Sequence, residues 1–303
     1  MIAGFAAAAL AALWLVADPF SLLGPATLTP ADRRTIERGE LVSRTIDGTA
    51  GQIGIFAVSR TNATAEALVS SARSIEDLKR SAFVKGIRKF SEPPRLEDLD
   101  SLVLLPKELQ AAVACRRDSC SLKLLPAEID ALVRESSRSG PDQNDRVMRA
   151  FRSVVFSRVT AYLASGPPDL ATLINRSAVP GKESFLYWSM EAYGPGKPVV
   201  LVTHVNILPP SAPGDPAVVI GKQLFANHYI NDGLAITAVA TDPATGARFL
   251  IYRNQTSVDL LGGFLGPIRR AVLESRLRRD VPGIIQKLRA RLEKEAQTER
   301  PAR

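Results

Sequence analysis

The sequence has little cysteine, little histidine and few aromatic residues. Its 303 residues include two Cys, two His and only 6% Phe, Trp and Tyr. No Gly-x-Ser-x-Gly segment is present, which excludes the nucleophile turn of α/β-hydrolases. Neither histidine stands at a spacing that zinc sites use. These absences remove common enzyme signatures, so any chemistry must rest on the few polar clusters that the chain has.

Long hydrophobic runs are also scarce. One run, Ile2 to Ala17, contains no charged residue. It is short for a membrane-spanning helix and suits the apolar core of a signal peptide, although no Lys or Arg precedes it. We therefore expect residues 1–26 to be a signal peptide or an N-terminal anchor, and the protein to be exported, either periplasmic or secreted. A buried helix is the third interpretation.

The two cysteines, Cys115 and Cys120, are five positions apart in "ACRRDSC". Such an isolated pair fits a small disulfide loop in an oxidising compartment. Thioredoxin-like motifs separate their cysteines by two residues, so a redox role is disfavoured. A zinc site formed with His204 and His228 is the alternative, without a recognised ligand spacing. The pair and the apolar N-terminal run both point to export.

Negative charge is in deficit, because 39 Lys and Arg stand against 31 Asp and Glu, a formal net charge of +8. The excess is concentrated at the C-terminus, where residues 264–303 hold eleven basic and five acidic residues, a net of +6. In an exported protein this pattern argues against nucleic acid as the partner. It indicates a solvated basic helix face or contact with an anionic membrane surface.

The order of predicted elements indicates an α+β protein. Two strands near residues 40–60 precede a helix that begins after Asn62 or Thr64, with an apolar stripe from Leu68 to Ile75. Residues from about 92 to 180 read as a helical insertion, with first-turn prolines at Pro106 and Pro126.

The second half of the chain changes to strand periodicity. Five apolar segments between Ser184 and Ser257 are separated by turn residues, including "NDG" at 231–233 and "DPATG" at 242–246, which predicts an antiparallel meander. A long helix follows from about Phe264 to Gln297, and Pro282 is expected to kink it. Its predicted buried stripe is Ile268, Val272, Leu277, Val281, Ile284, Leu288 and Leu292.

Two segments together resemble the START-like, or SRPBCC, superfamily. "GIFAVSRTNATAEALVSSARSIEDL" is similar to its opening strand and cavity-side helix, and "FLIYRNQTSVDLLGGFLGPIRRAVLESRLRRDVPGIIQKLRARLE" to its last strand and terminal helix. The resemblance implies a helix-grip fold over residues 38–300, in which a curved antiparallel sheet wraps around the long C-terminal helix. It also implies a cavity for apolar ligands beneath that helix. The helical insertion has no counterpart in the minimal fold.

Polar residues within the predicted strands are the candidate site. "KQLFANHYINDG" contains one of the two histidines among other polar side chains, and a buried polar group needs a hydrogen-bonding partner. Glu191 is the most suggestive of them, because a buried carboxylate needs a partner, and Arg253 either is that partner or holds an acidic ligand head group. Trp188 is a candidate cavity wall, and core packing alone explains it equally well. The expected ligand-binding set is Trp188, Glu191, His204, Gln223, His228, Tyr229 and Arg253.

Four interpretations of these residues remain open. The histidines are satisfied within the sheet, or anchor a ligand in an apolar pocket, or bind a metal with Glu191 or Asp232. The fourth is a hydrolase, with Ser189, Thr203 or Ser257 as its nucleophile. We favour non-covalent binding, for carriage or sensing, of a hydrophobic or amphipathic small molecule such as a lipid, with no cofactor and no metal. The alternative is an exported enzyme of cyclase or hydrolase type that uses cavity His, Tyr or Glu as acid–base groups.

Overall fold

The structure of the protein is a computed structural model that describes residues 18–23, 28–46, 48, 51–174, 176, 179–192, 196–262 and 266–298. The predicted apolar run Ile2 to Ala17 lies outside these ranges. None of the described helices combines the length and the hydrophobicity that crossing a membrane requires. Residues Pro19–Leu23, within the predicted N-terminal segment, form a 3-10 helix whose Leu23 is fully buried against the sheet.

The described residues contain eight strands and seven α-helices, so the α+β class is confirmed. The strands are β1 (Val42–Ile46), β2 (Gln52–Thr61), β3 (Val84–Lys89), β4 (Glu183–Glu191), β5 (Val199–Leu208), β6 (Ala217–Ala226), β7 (Ile230–Thr241) and β8 (Arg248–Val258). The helices are α1 (Pro30–Glu37), α2 (Ala65–Arg73), α3 (Ile75–Leu78), α4 (Pro106–Val113), α5 (Pro126–Ser136), α6 (Gln143–Ala164) and α7 (Gly266–Thr298).

All eight strands form one curved antiparallel sheet in the order β1-β2-β8-β7-β6-β5-β4-β3. The predicted meander from β4 to β8 is present, and β2 closes it by pairing with β8 along its whole length. Strand β3 was not predicted from the sequence. It is a short edge strand with three basic residues, Lys85, Arg88 and Lys89, of the kind that discourages further strand pairing.

Helices pack on both faces of the sheet. On the face that we call the helix side, α2 and α7 bury side chains from β2, β5, β7 and β8, among them Val205, Val239 and Leu250. On the opposite face, the insertion side, α4, α5 and α6 cover β4 and β5 around Phe151 and Trp188. The described residues between β3 and β4 contain only helical and irregular structure, as predicted for residues 92–180.

The local signals that begin the helices are confirmed. Pro106 and Pro126 occupy the first turns of α4 and α5. At α2 the cap is Thr64 and not Asn62, because the Thr64 side chain accepts a hydrogen bond from the Ala67 amide at 3.0 Å. The predicted pairing of Cys115 with Cys120 is present as a disulfide in the loop after α4.

The predicted buried stripe of α7 is wrong at three positions. Ile268, Val272 and Ile284 are 64%, 50% and 50% exposed, whereas Ile285 is only 1% exposed. The core-facing stripe of the C-terminal half therefore runs through Val281, Ile285, Leu292 and Ala296. Adjacent isoleucines gave two equally apolar choices of helix phase, and only the packing against the sheet distinguishes them.

This phase generates a paired prediction. We expect Ile285→Ala to lower the free energy of unfolding by about 2–5 kcal/mol, because it leaves a cavity in the core. Ile284→Ala, with the same change in composition one residue earlier, is expected to cost less than about 0.5 kcal/mol. Urea unfolding followed by circular dichroism measures both. Equal losses in the two variants would contradict the observed phase.

Candidate functional site

The helix side of the sheet divides into a closed half and an open half. Side chains alternate between the two faces along a strand, so residues at even spacings from Val205, Val239 and Leu250 lie on the same face as these three. Towards the end of the sheet where β4 finishes, this face is only half-buried. The half-buried residues there, which we call the polar patch, are Leu201, Thr203, Gly221, Gln223, Ala235, Thr237, Tyr252, Asn254 and Thr256.

A buried ion pair borders the polar patch. Glu191, the last residue of β4, has 3% of its surface exposed, and its carboxylate pairs with the Lys79 ammonium just after α3. Ser189 donates a hydrogen bond to Glu191 Oε1 at 2.7 Å, and Lys79 Nζ lies 3.3 Å from the Tyr187 hydroxyl. A buried carboxylate is tolerated only with such compensation. The pair therefore fixes two opposite charges beside a partly open surface.

Tyr252 connects the ion pair to the polar patch. Burial raises the pKa of its hydroxyl, while a hydrogen bond with Asn254 and the charge of Lys79 act in the opposite direction. Thr256 in turn donates to Asn254 Oδ1 at 2.7 Å. Strand β8 thus presents a continuous line of hydrogen-bonding groups along the helix side, and the hydroxyl of Tyr252 stays protonated at neutral pH.

Sequence reasoning missed Lys79 and Tyr252, and assigned the wrong partner to Glu191. Arg253 lies on the insertion side, where its guanidinium donates to Gln255 Oε1 at 3.2 Å and burial lowers its pKa. The alternation along β8 could have excluded Arg253, because Leu250 and Tyr252 have the opposite orientation. Lys79 follows a one-turn helix, and no local pattern directs its side chain toward β4.

Of the seven predicted ligand-binding residues, the structure places two on the helix side, Glu191 and Gln223. Trp188 is on the insertion side, 1% exposed, and its indole N–H donates to the Asp98 carbonyl at 2.9 Å. It is therefore a core residue beneath the helical insertion and not a wall of the polar patch. His204 is on the insertion side as well, and His228 and Tyr229 lie elsewhere.

His228 and Tyr229 occupy the turn between β6 and β7, not the middle of a strand. The predicted turn "NDG" is wrong, because Asn231, Asp232 and Gly233 belong to β7. The turn comes four residues earlier, at residues 227–229, where the Asn227 side-chain oxygen accepts a hydrogen bond from the Val200 amide at 2.7 Å and anchors the chain to β5. Tyr229 adopts φ 59°, a left-handed conformation that costs a residue with a side chain about 1–3 kcal/mol.

A pocket of about 320 Å³ opens beside this turn. The His228 ring nitrogen Nε2 is hydrogen-bonded to the carboxylate of Glu108 from α4, and both residues are buried. The hydroxyl of Tyr229 accepts a hydrogen bond from the backbone N–H of Lys197 at 3.0 Å. The Lys123 ammonium forms an ion pair with the Asp259 carboxylate at 2.7 Å. The residues that line this turn pocket are Ser121, Leu122, Lys123, Lys197, His228, Tyr229 and Asp259.

His204 belongs to a third, separate polar group. Its Nδ1 is 2.8 Å from the Tyr162 hydroxyl and its Nε2 is 2.6 Å from the Ser184 hydroxyl. The side-chain oxygen of Asn206 accepts a hydrogen bond from the backbone N–H of Leu170. The side-chain nitrogen of Asn206 therefore faces Nε2 of His204, at 3.2 Å. Nε2 is therefore the acceptor and Nδ1 carries the proton. Burial lowers the pKa of His204, so its imidazole is neutral at pH 7.

The two histidines do not come together. His204 is paired across the sheet with Lys222, six residues before His228. Among the described residues, no group of three or more His, Cys, Asp or Glu side chains could hold a metal ion. Asp232, a candidate ligand, pairs with Lys222 instead. Both cysteines are in the disulfide, which is incompatible with a Cys2His2 zinc site.

Comparison with known proteins adds no relative to this description. No protein-family model, curated protein or solved structure matches the chain.

The buried His204 predicts a dependence of stability on pH. Its pKa is lowered in the folded protein, so the unfolded chain binds a proton first as the pH falls below about 6.5, the ordinary imidazole value. Stability is then lost on acidification, at up to about 1.4 kcal/mol per pH unit for one proton. We expect the free energy of unfolding between pH 7 and pH 5 to fall less in His204→Gln than in the wild type. Equal pH slopes in urea titrations would contradict this prediction.

Proposed function

We propose that the protein is a helix-grip, START-like carrier or sensor that binds an amphipathic small molecule, such as a lipid, between α7 and the polar patch. The observation that carries the proposal is the combination at this surface of a half-buried, mixed polar and aliphatic patch with a buried ion pair at its border. Ligand sites are concave and largely apolar, with a few polar groups that fix orientation.

The distribution of groups supports one orientation of the ligand. A polar head group finds hydrogen-bonding partners in Tyr252, Asn254 and the Lys79–Glu191 pair. The apolar part lies toward Leu277 of α7, which packs on the closed half of the helix side. Thr203 and Gln223, which are paired across β5 and β6, offer further polar contacts. An amphipathic molecule satisfies both ends, whereas a fully apolar one leaves the polar groups without partners.

The helix α7 is anchored unequally along its length, which supports ligand entry beneath its N-terminal half. From Val281 onward four residues are buried, and Glu293 accepts hydrogen bonds from the Thr61 hydroxyl and from the Asn62 amide, both at 2.9 Å. Pro282 lies at the junction and cannot donate the backbone hydrogen bond to Arg278. The N-terminal half can therefore move at a lower cost than the rest of the helix.

A substitution at Gly221 tests this site. A Cβ added there meets Thr203 at 3.5 Å, an ordinary contact, so a larger side chain can be accommodated and extends from the helix side. We expect Gly221→Phe to fill the space next to the polar patch and to reduce the co-purified lipid at least tenfold, about 1.4 kcal/mol of binding. Mass spectrometry of an organic extract of the purified protein measures the lipid.

The matched control is Lys222→Phe, which adds the same aromatic group one residue later on the opposite face of β6. Both variants should retain the circular dichroism spectrum of the wild type. Retention of lipid by Gly221→Phe, or equal loss from both variants, would contradict a site on the helix side.

We further propose that α7 contacts an anionic membrane surface, where such a carrier exchanges its ligand. At 100° per residue, Ile268, Val272 and Arg276 lie on the same outward side of the helix, and all three are exposed. Arg269 borders this side, which we call the outer stripe. Apolar side chains flanked by basic ones are the composition of helices that lie in a membrane interface.

Vesicle binding tests the outer stripe. We expect the protein to sediment with phosphatidylcholine vesicles that contain phosphatidylglycerol and not with pure phosphatidylcholine vesicles, and high salt should weaken this binding. Ile268→Ser with Val272→Ser should abolish the binding. Ile284→Ser is the control, because Ile284 is as exposed as Val272 but lies on another side of the helix. Unchanged binding by the double variant would contradict the assignment.

A further inference from the structure

The turn pocket contains a histidine–carboxylate pair that the proposed ligand site does not use. Glu108 is 3% exposed and His228 is 4% exposed, and the carboxylate binds the imidazole at Nε2. An ionised carboxylate can only accept a hydrogen bond, so Nε2 carries the proton and Nδ1 keeps its lone pair. Among the described residues, Nδ1 has no hydrogen-bond partner, and His228 lines the pocket. The pair is thus arranged to accept a proton at the pocket surface.

The backbone around His228 is held in a fixed conformation. The Asn227 amide donates to the Val200 carbonyl at 3.2 Å, and the Asn227 carbonyl accepts the Lys123 amide at 2.8 Å. Tyr229, in its left-handed conformation, accepts a hydrogen bond from the Asp259 amide at its carbonyl (2.9 Å) and one from the Lys197 amide at its hydroxyl (3.0 Å). Strained backbone that surrounding contacts maintain is concentrated at functional sites. The turn is therefore preorganised at the residue that carries the lone pair.

The charges of the pocket indicate the class of molecule that fits. Lys123 is neutralised by Asp259, whose carboxylate oxygens lie 2.7 and 2.8 Å from its ammonium. Lys197 is exposed and has no ion-pair partner among the described residues. One uncompensated cation at the rim, with a volume of about 320 Å³, favours a small molecule with a single negative charge.

We propose that the turn pocket is a general-base site that hydrolyses a small carboxylic ester carrying an anionic group. Nδ1 of His228 takes a proton from a water molecule as the water oxygen forms its bond to the ester carbonyl carbon. The carbon–oxygen bond to the alcohol then breaks, and the same proton returns from Nδ1 to the leaving oxygen. The products are a carboxylic acid and an alcohol, and water is the only co-reactant. Glu108 is a positioning residue that fixes the tautomer, and Lys197 attracts the anionic group.

The test uses the full chain with two esters that differ in charge, 4-acetoxybenzoate and methyl 4-acetoxybenzoate. We expect the wild type to accelerate release of 4-hydroxybenzoate from the anionic ester. His228→Gln should reduce kcat by about 10²–10⁴-fold, the usual contribution of a general base. Glu108→Gln should lower kcat and leave KM unchanged. Lys197→Gln should raise KM for the anionic ester and leave KM for the methyl ester unchanged.

His204→Gln is the matched control, because it replaces the other histidine of the chain outside the pocket, and it should leave both rates unchanged. The proposal is overturned if the wild type does not exceed the protein-free rate, or if His228→Gln hydrolyses the anionic ester as fast as the wild type. If the buried variants fail to fold, ¹⁵N spectra of the wild-type imidazoles decide the tautomer. A proton on Nδ1 of His228 overturns the proposal. Lipid retention is a separate readout, so this result leaves the helix-side site untouched.

Discussion

The pairing of β2 with β8 is the interaction on which the architecture depends. It is continuous over ten residues, from Gln52 opposite Ser257 to Thr61 opposite Arg248. Without it the sheet separates into a six-stranded part and a detached β1–β2 hairpin, and α7 loses the two strands of that hairpin, which it contacts in the folded protein. With it, the first and last thirds of the chain share one ladder. The alternation of side chains then assigns every strand residue to the helix side or to the insertion side.

That assignment places the candidate site residues of the described chain in three regions with different physical surroundings. The Lys79–Glu191 pair lies beside the half-buried polar patch, which is the proposed ligand site. His204 lies under the helical insertion with all of its ring nitrogens engaged, which suits a structural role. His228 lies at the end of the sheet with one nitrogen engaged and one available. The proposed binding site and the proposed general-base site therefore share no residue.

Periodicity predicted much of the fold, because strands with apolar residues on both faces and a long helix are strong local signals. The α+β class, the meander, the first-turn prolines and the cysteine pair followed from the sequence. The helical phase of α7 did not, since Ile284 and Ile285 have the same side chain and differ only in whether they face the sheet or the solvent. The turn at residue 227 was missed because "NDG" has the stronger local turn preference. The hydrogen bond between Asn227 and Val200 of β5 overrides that preference. The sequence around Asn227 cannot predict this contact, because Val200 is 27 residues away.

Within the candidate site, sequence reasoning identified Glu191 and Gln223 but not the partners that give Glu191 its role. The prediction that the buried Glu191 carboxylate has a cationic partner was correct. The choice of Arg253 as that partner was wrong, because Arg253 lies on the opposite face of the sheet. Lys79, which follows α3, is 112 positions from Glu191 in the chain. Such partnerships depend on how elements dock, which composition and spacing do not specify. The partner of a single charged residue can therefore be predicted only after the topology of the fold is known.

The same β2–β8 ladder has a consequence for how the chain folds. Its paired residues are 187 to 205 positions apart, so the sheet cannot close until nearly the whole protein has been synthesised. Contacts of such long sequence separation are slow to form, because most of the chain entropy must be lost before they stabilise anything. During that interval β2, apolar on both faces, has only β1 as a neighbour and presents an unpaired edge. The interval before closure is therefore when this protein is most exposed to aggregation, and completion of β8 ends it.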